Sequence, residues 1–158
     1  MRPWIRVAHR PTMNGAERLA RSQPYMLVAN HSAGLAVAEV FAFACMYAER
    51  VGKDYPLTGF AHHRVIDVWT FAPMLRGVGG VPSTYEAARA TLAEGVSLLV
   101  FPGGDHEVLR PIWRAGEVDF NNRVGFLRIA REARVPIIPM GISGSHYTVP
   151  MLWRSRLL

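Results

Sequence analysis

One histidine of this sequence stands where chemistry on a hydroxyl group is possible. The apolar run 26–29 predicts a short buried strand, and it is followed by Asn30-His31-Ser32 and then by an apolar, helix-like run over 35–47. A histidine between a strand and a helix lies where open α/β sheets place their reactive groups. Near neutral pH such a histidine can take a proton from a hydroxyl. Taken alone, however, the residue is more often a cap or another hydrogen-bonded polar side chain.

A second stretch combines glycines with ionisable side chains. The strongly apolar run 96–101 predicts a buried strand, and Pro102-Gly103-Gly104 ends it just before Asp105-His106-Glu107. Two glycines let the backbone approach a ligand closely and expose its N–H groups. A tight turn with solvated charges has the same composition. Because this run is the most apolar in the chain, its end is expected beside the other strand ends, including the one that carries His31.

Strands and helices alternate along the sequence. Apolar runs predict four strands, over 25–29, 56–61, 96–101 and 136–140. Apolar runs, periodicity and capping signals predict helices over 35–50, 66–75, 83–92 and 123–134, with Gly95 ending the third. Residues 105–120 are expected to form a polar loop. The alternation predicts a single α/β domain with a central, mainly parallel sheet flanked by helices.

Three of these predicted elements carry more specific signals. Ser83-Thr84-Tyr85-Glu86 resembles a capping box, with Ser83 at the N-cap position and Glu86 at N3. The helix over 123–134 is predicted to be amphipathic. Its expected apolar side consists of Val124, Leu127, Ile129 and Ala130. The last strand, over 136–140, is expected to be buried.

Composition narrows the range of partners. With 158 residues and a formal charge of +6 the chain makes one domain with a sizeable core, and Lys53 is its only lysine. A basic and apolar chain favours nucleic acid or an anionic membrane surface. The arginines are dispersed and no nucleic-acid-binding motif is present, which favours the membrane. Cys45, as the only cysteine, excludes a disulfide framework and a cysteine-based zinc site and fits a reducing compartment.

Three blocks of the sequence together resemble the glycerolipid and lysophospholipid acyltransferase superfamily. They are Asn30-His31-Ser32, Phe101-Pro102-Gly103-Gly104-Asp105-His106 and Val135-Pro136-Ile137-Ile138-Pro139. Their order, spacing and placement at strands all agree with that superfamily, and the likeness extends over about residues 25 to 148. The Pro-Gly-Gly-Asp-His-Glu form is most similar to the branch with diacylglycerol-acyltransferase-like and phytyl-ester-synthase-like members.

The resemblance implies an O-acyltransferase of α/β fold. In such a family the histidine, here His31, is a general base that deprotonates the acceptor hydroxyl. The hydroxyl then attacks an acyl thioester of coenzyme A or acyl carrier protein, with no acyl-enzyme, no metal and no resident cofactor. An acidic residue orients the imidazole and stabilises its protonated form. The expected partners are a lipid acceptor and the acyl thioester, and the expected place is the cytoplasmic face of a membrane, bound peripherally.

The sequence departs from the family pattern at three places. The acid that usually lies five residues after the histidine is Ala36 here, and the nearest acid on that side is Glu39. Residues i and i+3 of a helix share a face, so Glu39 is the predicted orienting acid. The family's Glu-Gly-Thr-Arg is replaced by Gly103-Gly104-Asp105-His106, and the block at 79–83 lacks a second arginine. Two missing phosphate ligands favour a neutral acceptor, such as a diacylglycerol or a long-chain alcohol.

The predicted site therefore has a catalytic and a substrate-binding part. His31 and Glu39 are the predicted catalytic pair. The residues expected to bind substrate are Ser32, Gly103, Gly104, Asp105, His106, Glu107 and Arg110. Among them, the glycine backbone is expected to shape the acyl or oxyanion region, and Arg110 offers a substitute for the missing phosphate ligands.

A truncated or non-catalytic lipid-binding homologue is the main alternative to the enzyme. The expected organisation is an extension over 1–24, an acyltransferase domain over 25–150 and a short tail over 151–158. Family members are usually longer at both ends. If strands of the fold were missing, an exposed sheet edge and apolar surface would promote self-association.

Three further functions remain open from the sequence. A lysophospholipid or glycerol-phosphate acyltransferase requires only a different acceptor. A serine hydrolase would use Ser143 and His146, because Gly141-Ile142-Ser143-Gly144-Ser145 follows a strand, although it lacks the final glycine of Gly-x-Ser-x-Gly. A metal hydrolase would need His62-His63, Asp67 and His106 as ligands, but no His-Glu-x-x-His pattern accompanies them.

Overall fold

The computed structural model describes residues 10–19, 24–32, 38–52, 54–61 and 79–152. Its strands are β1 (Met26–Ala29), β2 (Leu57–Ala61), β3 (Gly80–Pro82), β4 (Ser97–Val100) and β5 (Ile137–Met140). Its helices are α1 (Ala38–Arg50), α2 (Tyr85–Ala93), α3 (Gly104–Val108) and α4 (Gly125–Ala133). Single 3-10 turns form at Ala16–Arg18, Ile112–Arg114 and Ser145–Tyr147. The helix predicted over 66–75 lies outside the described residues, as do residues 35–37 of the first predicted helix.

The strands form one five-stranded sheet in the order β3-β2-β4-β1-β5. Every pairing is parallel. The predicted single α/β domain with a mainly parallel sheet and flanking helices is confirmed. In the centre, β1 and β4 are buried along their whole length, as expected for parallel strands that are covered on both faces.

Successive residues of β1 and β4 belong to two separate core clusters, because side chains of a strand alternate between its faces. On one face, Met26, Val28, Leu98 and Val100 pack with residues of α2 and α4. On the other face, Leu27, Ala29 and Leu99 pack with Phe43 and Tyr47 of α1. The helices therefore lie on both sides of the sheet, with α1 on one face and α2 and α4 on the other.

The predicted polar loop over 105–120 is wrong in two places. Residues Gly104–Val108 form helix α3, and Ile112–Arg114 form a 3-10 turn. Glu107 was predicted to bind substrate on the acceptor side. In the structure Glu107 is fully buried, so this segment includes an acidic residue that faces inward.

The edge of the sheet and the surface of α4 also differ from expectation. The strand predicted to be buried is β5, which lies at an edge, and Ile137 remains 37% exposed. Val124 and Leu127, expected on the apolar side of α4, are 62% and 48% exposed. The apolar stripe that packs on the core is instead formed by Phe126, Ile129, Ala130 and Ala133. These four positions follow the i, i+3, i+4, i+7 spacing of a helix that buries one face.

Helix α2 begins one residue later than the capping box predicts. Thr84, not Ser83, is the N-cap residue, and its side-chain oxygen accepts a hydrogen bond from the backbone N–H of Ala87 at 3.1 Å. Its backbone is extended, with φ −124° and ψ 155°, as is usual at an N-cap. The assignment of the cap to Ser83 is therefore wrong, because the neighbouring threonine satisfies the N3 N–H.

This difference gives a direct test of the helix boundary. We expect Thr84→Ala to lower the free energy of unfolding by about 1 kcal/mol, because the backbone N–H of Ala87 in the first helical turn loses its acceptor. Ser83→Ala is the matched control and should change it by less than about 0.5 kcal/mol. Urea denaturation of both variants measures the difference. A larger loss of unfolding free energy in Ser83→Ala than in Thr84→Ala would show that Ser83 is the N-cap residue.

Candidate active site

The register of the two central strands brings His31 to the end of β4. Val28 of β1 is paired with Val100 of β4, so the residues that follow both strands meet at the same edge of the sheet. There the imidazole of His31 stacks on the ring of Phe101, with 4.4 Å between ring centroids and 27° between their planes. The stack supports one face of the imidazole.

Glu39 contacts the imidazole from the first turn of α1. Its Oε1 lies 2.6 Å from Nδ1 of His31 and also accepts the backbone N–H of Ser32 at 2.9 Å. The side chains of His31 and Glu39 are 13% and 2% exposed. The structure thus brings the predicted acid and histidine together, although Glu39 lies three positions beyond the usual place of the acid at Ala36.

The environment of Glu39 keeps its carboxylate charged. Burial raises its pKa, but the hydrogen bond and charge of His31 and the N–H of Ser32 lower it more, and the pKa falls below its ordinary value. Because Nδ1 of His31 faces a carboxylate, we assign the ring proton to Nδ1. The lone pair is then on Nε2, the nitrogen that a general base needs.

A second buried carboxylate, that of Glu107, lies beneath the main chain of His31. Oε2 of Glu107 accepts the backbone N–H of His31 at 3.0 Å, and Oε1 accepts the backbone N–H of Asp119 at 3.1 Å. Nη1 of Arg110 lies 3.3 Å from the same Oε1. Glu107 was predicted to face the acceptor, but the structure places it inside the protein, with both oxygens engaged by protein N–H groups.

Arg110 lies in the interior as well. It is 1% exposed, and its contact with Glu107 is an ion pair between two buried groups. Its Nε and Nη2 make no hydrogen bond within the described part of the chain. The predicted substitute for a phosphate ligand is therefore a buried arginine that already balances a carboxylate.

Two ionisable side chains of α3 are paired with a later segment. His106 Nε2 lies 2.8 Å from Asp119 Oδ2, and Arg123 Nη1 lies 2.8 Å from Asp105 Oδ1. The hydrogen bond from His106, assisted by the backbone N–H of Asn121, lowers the pKa of Asp119. Sequence reasoning missed Asp119 and Arg123, because no spacing signal connects them to residues more than ten positions earlier.

The two glycines have different surroundings. The N–H of Gly104 donates to the carbonyl of Phe101 at 3.0 Å, so it is engaged within the turn. The carbonyl of Gly103 accepts from Arg123 at 3.1 Å. Gly104 has φ +46°, a conformation that favours glycine. The role of this backbone in an oxyanion region stays a prediction.

The segment after β5 closes the other side of the site. The side-chain amide of Asn30 donates to the carbonyl of Ile142 at 2.8 Å and accepts its N–H at 2.7 Å. The hydroxyl groups of Ser32 and Ser145 are in contact. These bonds hold the residues on both sides of His31 against the turn that follows β5.

A cleft of about 460 Å³ opens next to this contact. It is lined by Asn30, Ala115–Val118, Gly141–Gly144, His146 and Tyr147. His146 is 4% exposed, and its Nε2 makes no hydrogen bond to the described residues. Burial and the guanidinium of Arg110 lower the pKa of His146, and Glu39 opposes them. A neutral imidazole therefore borders the cleft near neutral pH.

The structure gives little support to the serine hydrolase and metal hydrolase alternatives. Ser143 is exposed in the turn after β5, and no Ser143–His146 hydrogen bond forms among the residues that the structure covers. The acid–histidine pair that does form is His31 with Glu39. Of the residues considered for a metal, His62, His63 and Asp67 lie outside the described ranges, and the described residues contain no cluster of three metal ligands.

Comparison with known proteins assigns the chain to a family. The family model described as Acyltransferase matches residues 10–143. The chain belongs to the acyltransferase family. A 1-acyl-sn-glycerol-3-phosphate acyltransferase of Cocos nucifera is 31% identical over 108 residues, which are 66% of this chain and 30% of that protein. The assignment confirms the resemblance seen in the three sequence blocks.

Two more similar proteins extend the comparison. An uncharacterized protein of Mycobacterium tuberculosis is 27% identical over 156 residues, 98% of this chain and 42% of that protein. The crystal structure of the 1-acyl-sn-glycerophosphate acyltransferase PlsC from Thermotoga maritima matches with a TM-score of 0.59 and 23% identity. That match covers 87% of this chain and 51% of the PlsC chain, and it supports the fold. The acyltransferase chain thus spans about half or less of the length of these proteins.

The site lies in a domain whose described helices are too short or too polar to cross a membrane. The longest, α1, has 13 residues, whereas a bilayer span needs about 20.

The lowered pKa of Glu39 predicts a specific pH dependence of stability. A carboxyl whose pKa is lower in the folded than in the unfolded state stabilises the fold above its unfolded-state pKa, and this contribution is lost as pH falls through the folded-state pKa. We expect the stability of the wild type relative to Glu39→Gln to decrease as pH falls below the ordinary value of 4.5. Urea denaturation between pH 7 and pH 3.5 measures it. Glu86→Gln, at an exposed acid, is the control, and a difference for Glu39→Gln that is independent of pH would contradict the expectation.

Proposed function

We propose that the chain carries the active site of an O-acyltransferase that moves a fatty acyl group from an acyl thioester to a lipid hydroxyl. The observation that carries the proposal is the His31–Glu39 pair, with 2.6 Å between Nδ1 and Oε1, at the ends of the central strands. The membership of the acyltransferase family supports it. The acyl donor in this proposal is acyl-CoA or acyl carrier protein, used as a co-substrate.

The geometry suggests how the residues would act. Nε2 of His31 takes the proton of the acceptor hydroxyl while the hydroxyl oxygen forms a bond to the thioester carbonyl carbon. Glu39 holds Nδ1–H and stabilises the imidazolium that results. When the tetrahedral intermediate collapses, the carbon–sulfur bond breaks, and the imidazolium returns its proton to the departing thiolate. The products are an ester and a free thiol, and His31 is neutral again.

The pairing of charges around the site favours a neutral acceptor. Three basic side chains in and after α3 each face a carboxylate: His106 faces Asp119, Arg123 faces Asp105, and Arg110 faces Glu107. A phosphate group that bound the nitrogen engaged in one of these pairs would have to displace the carboxylate, and both partners of such pairs lose hydrogen bonds when they separate. A diacylglycerol or a long-chain alcohol requires no such exchange.

A phosphate-bearing acceptor is the second candidate. The relative from Cocos nucifera is a 1-acyl-sn-glycerol-3-phosphate acyltransferase, and two nitrogens of Arg110 have no hydrogen bond to the described residues. These N–H groups are donors that a phosphate oxygen could accept from if the Arg110 side chain became accessible. The acceptor assay below separates the two candidates.

An apolar rim beside the cleft supports peripheral membrane association, which we propose at the cytoplasmic face. The rim consists of Trp113, Val118, Tyr147 and Leu152, which are 68%, 62%, 72% and 58% exposed. Val118 and Tyr147 line the cleft. The backbone N–H of Ile112, which precedes Trp113, donates a hydrogen bond to the carbonyl of Met151, which precedes Leu152. Aromatic side chains of this kind insert at the headgroup level of a bilayer, and a lipid acceptor would enter the cleft from there.

The proposed activity is tested by acyl transfer from radiolabelled long-chain acyl-CoA and acyl carrier protein in detergent micelles. The acceptors are diacylglycerol, a long-chain alcohol, lysophosphatidate and glycerol 3-phosphate. We expect transfer to a neutral acceptor, and a loss of about 10²-fold or more in His31→Ala because the general base is removed. Transfer confined to phosphate-bearing acceptors would establish the second candidate. Binding of acyl-CoA without transfer would identify a lipid-binding homologue, and hydrolysis that depends on Ser143 but not His31 would contradict the proposal.

The apolar rim is tested by binding to vesicles of phosphatidylcholine with phosphatidylglycerol. We expect Trp113→Ser with Tyr147→Ser to weaken binding by about tenfold, because two large apolar surfaces no longer leave water. Val124→Ser with Leu127→Ser is the control, since these exposed apolar residues lie at the N-cap and in the first turn of α4, outside the cleft lining. Co-sedimentation in low and high salt measures both. Equal effects of the two pairs would contradict a role for the rim.

A further inference from the structure

Gly103 leaves room for a side chain that comes from one helical turn later. A Cβ atom added at Gly103 would overlap Cγ, Cδ and Oε2 of Glu107. Side chains of a helix point back toward its N-terminus and cover the preceding turn. The carboxylate of Glu107 therefore occupies the space in which a side chain at position 103 would begin.

The acyltransferase pattern that the sequence resembles has a glutamate at the position taken here by Gly103. We infer that Glu107 replaces that glutamate and acts as the positioning residue of His31. The inference rests on the proposed function for its kinetic consequence, but its geometry can be tested without any turnover. It also explains why the turn needs glycine at 103, since any larger residue would compete with Glu107 for the same volume.

The carboxylate of Glu107 holds two chain segments together by hydrogen bonds. Its Oε2 accepts the N–H of His31 at 3.0 Å, and its Oε1 accepts the N–H of Asp119 at 3.1 Å. The side chain is 0% exposed, and Arg110 supplies the opposite charge. Because a buried carboxylate is tolerated only with such donors, the loop that carries His31 is held in one place.

Two carboxylates thus fix His31 at different points. Glu107 binds its main-chain N–H, while Glu39 binds Nδ1 of the ring. Without Glu107, the main chain of His31 would be free to shift, and Nε2 would lose its alignment with the acceptor hydroxyl. We therefore expect a fall in kcat with little change in KM, since groups that bind the substrates are left intact.

The replacement is tested by moving the acid. Glu107→Ala and Glu107→Gln should each lower kcat by about 10-fold to 100-fold with KM within about threefold. The double variant Gly103→Glu with Glu107→Ala should recover at least about tenfold of the activity lost in Glu107→Ala, because the carboxylate regains its place. Glu86→Gln, at an exposed acid of α2, is the matched control and should keep its activity. A folded double variant that is no better than Glu107→Ala would overturn the replacement.

Proton NMR tests the positioning independently of acyl transfer. The first measurement uses the wild type, so it does not depend on whether a variant folds. The amide proton of His31 should be protected from hydrogen exchange, and rapid exchange would contradict its hydrogen bond to Glu107. The low-field Nδ1 proton of the His31–Glu39 pair should shift or broaden in Glu107→Gln and return in the double variant. An unchanged Nδ1 resonance together with unchanged kcat in Glu107→Gln would overturn the inference. If the chain shows these signals but transfers no acyl group, the proposed function is contradicted, whereas the positioning of His31 by Glu107 is supported.

Discussion

The site depends on the register between the two central strands. Val28 pairs with Val100, and this one alignment puts His31 over Phe101 and places the turn after β4 beneath the loop after β1. A slip by one residue would exchange the faces of every side chain in a strand. In β1 such a slip would move Met26 and Val28 from the cluster under α2 and α4 to the cluster under α1. Core packing on both faces therefore sets the position of the histidine.

The site also concentrates buried charge. Glu39 and Glu107 are 5% and 0% exposed, and each would be costly in the interior without donors. Their donors are the ring of His31, the main-chain N–H groups of Ser32, His31 and Asp119, and the guanidinium of Arg110. The contacts of the two carboxylates with His31 thus satisfy the carboxylates and orient the histidine at the same time. Stability and function are coupled here, because loosening the histidine would also leave a buried carboxylate short of donors.

The apolar runs were sufficient to predict the central strands, the parallel sheet and the edge at which His31 and the Gly103 turn meet. They were not sufficient for α3, because a Gly-Gly start and three ionisable residues have the composition of a loop. In the folded chain Glu107 of this segment is buried and accepts hydrogen bonds from the backbone of His31 and Asp119, and these tertiary contacts leave no local signal in the sequence. The same holds for Asp119 and Arg123, whose partners are brought near only by the folded chain.

The two departures from the family pattern at acidic positions have a common outcome at His31. Where the pattern has an acid, the chain has Ala36 and Gly103, and an acid follows at Glu39 and Glu107, three and four residues later. Glu107 lies one helical turn after Gly103, and its side chain points back over that position. Glu39 lies in the first turn of α1, and both carboxylates contact His31. When the sequence is compared with the family pattern position by position, two acids are missing. In the folded chain, however, the carboxylates of Glu39 and Glu107 both lie beside the histidine.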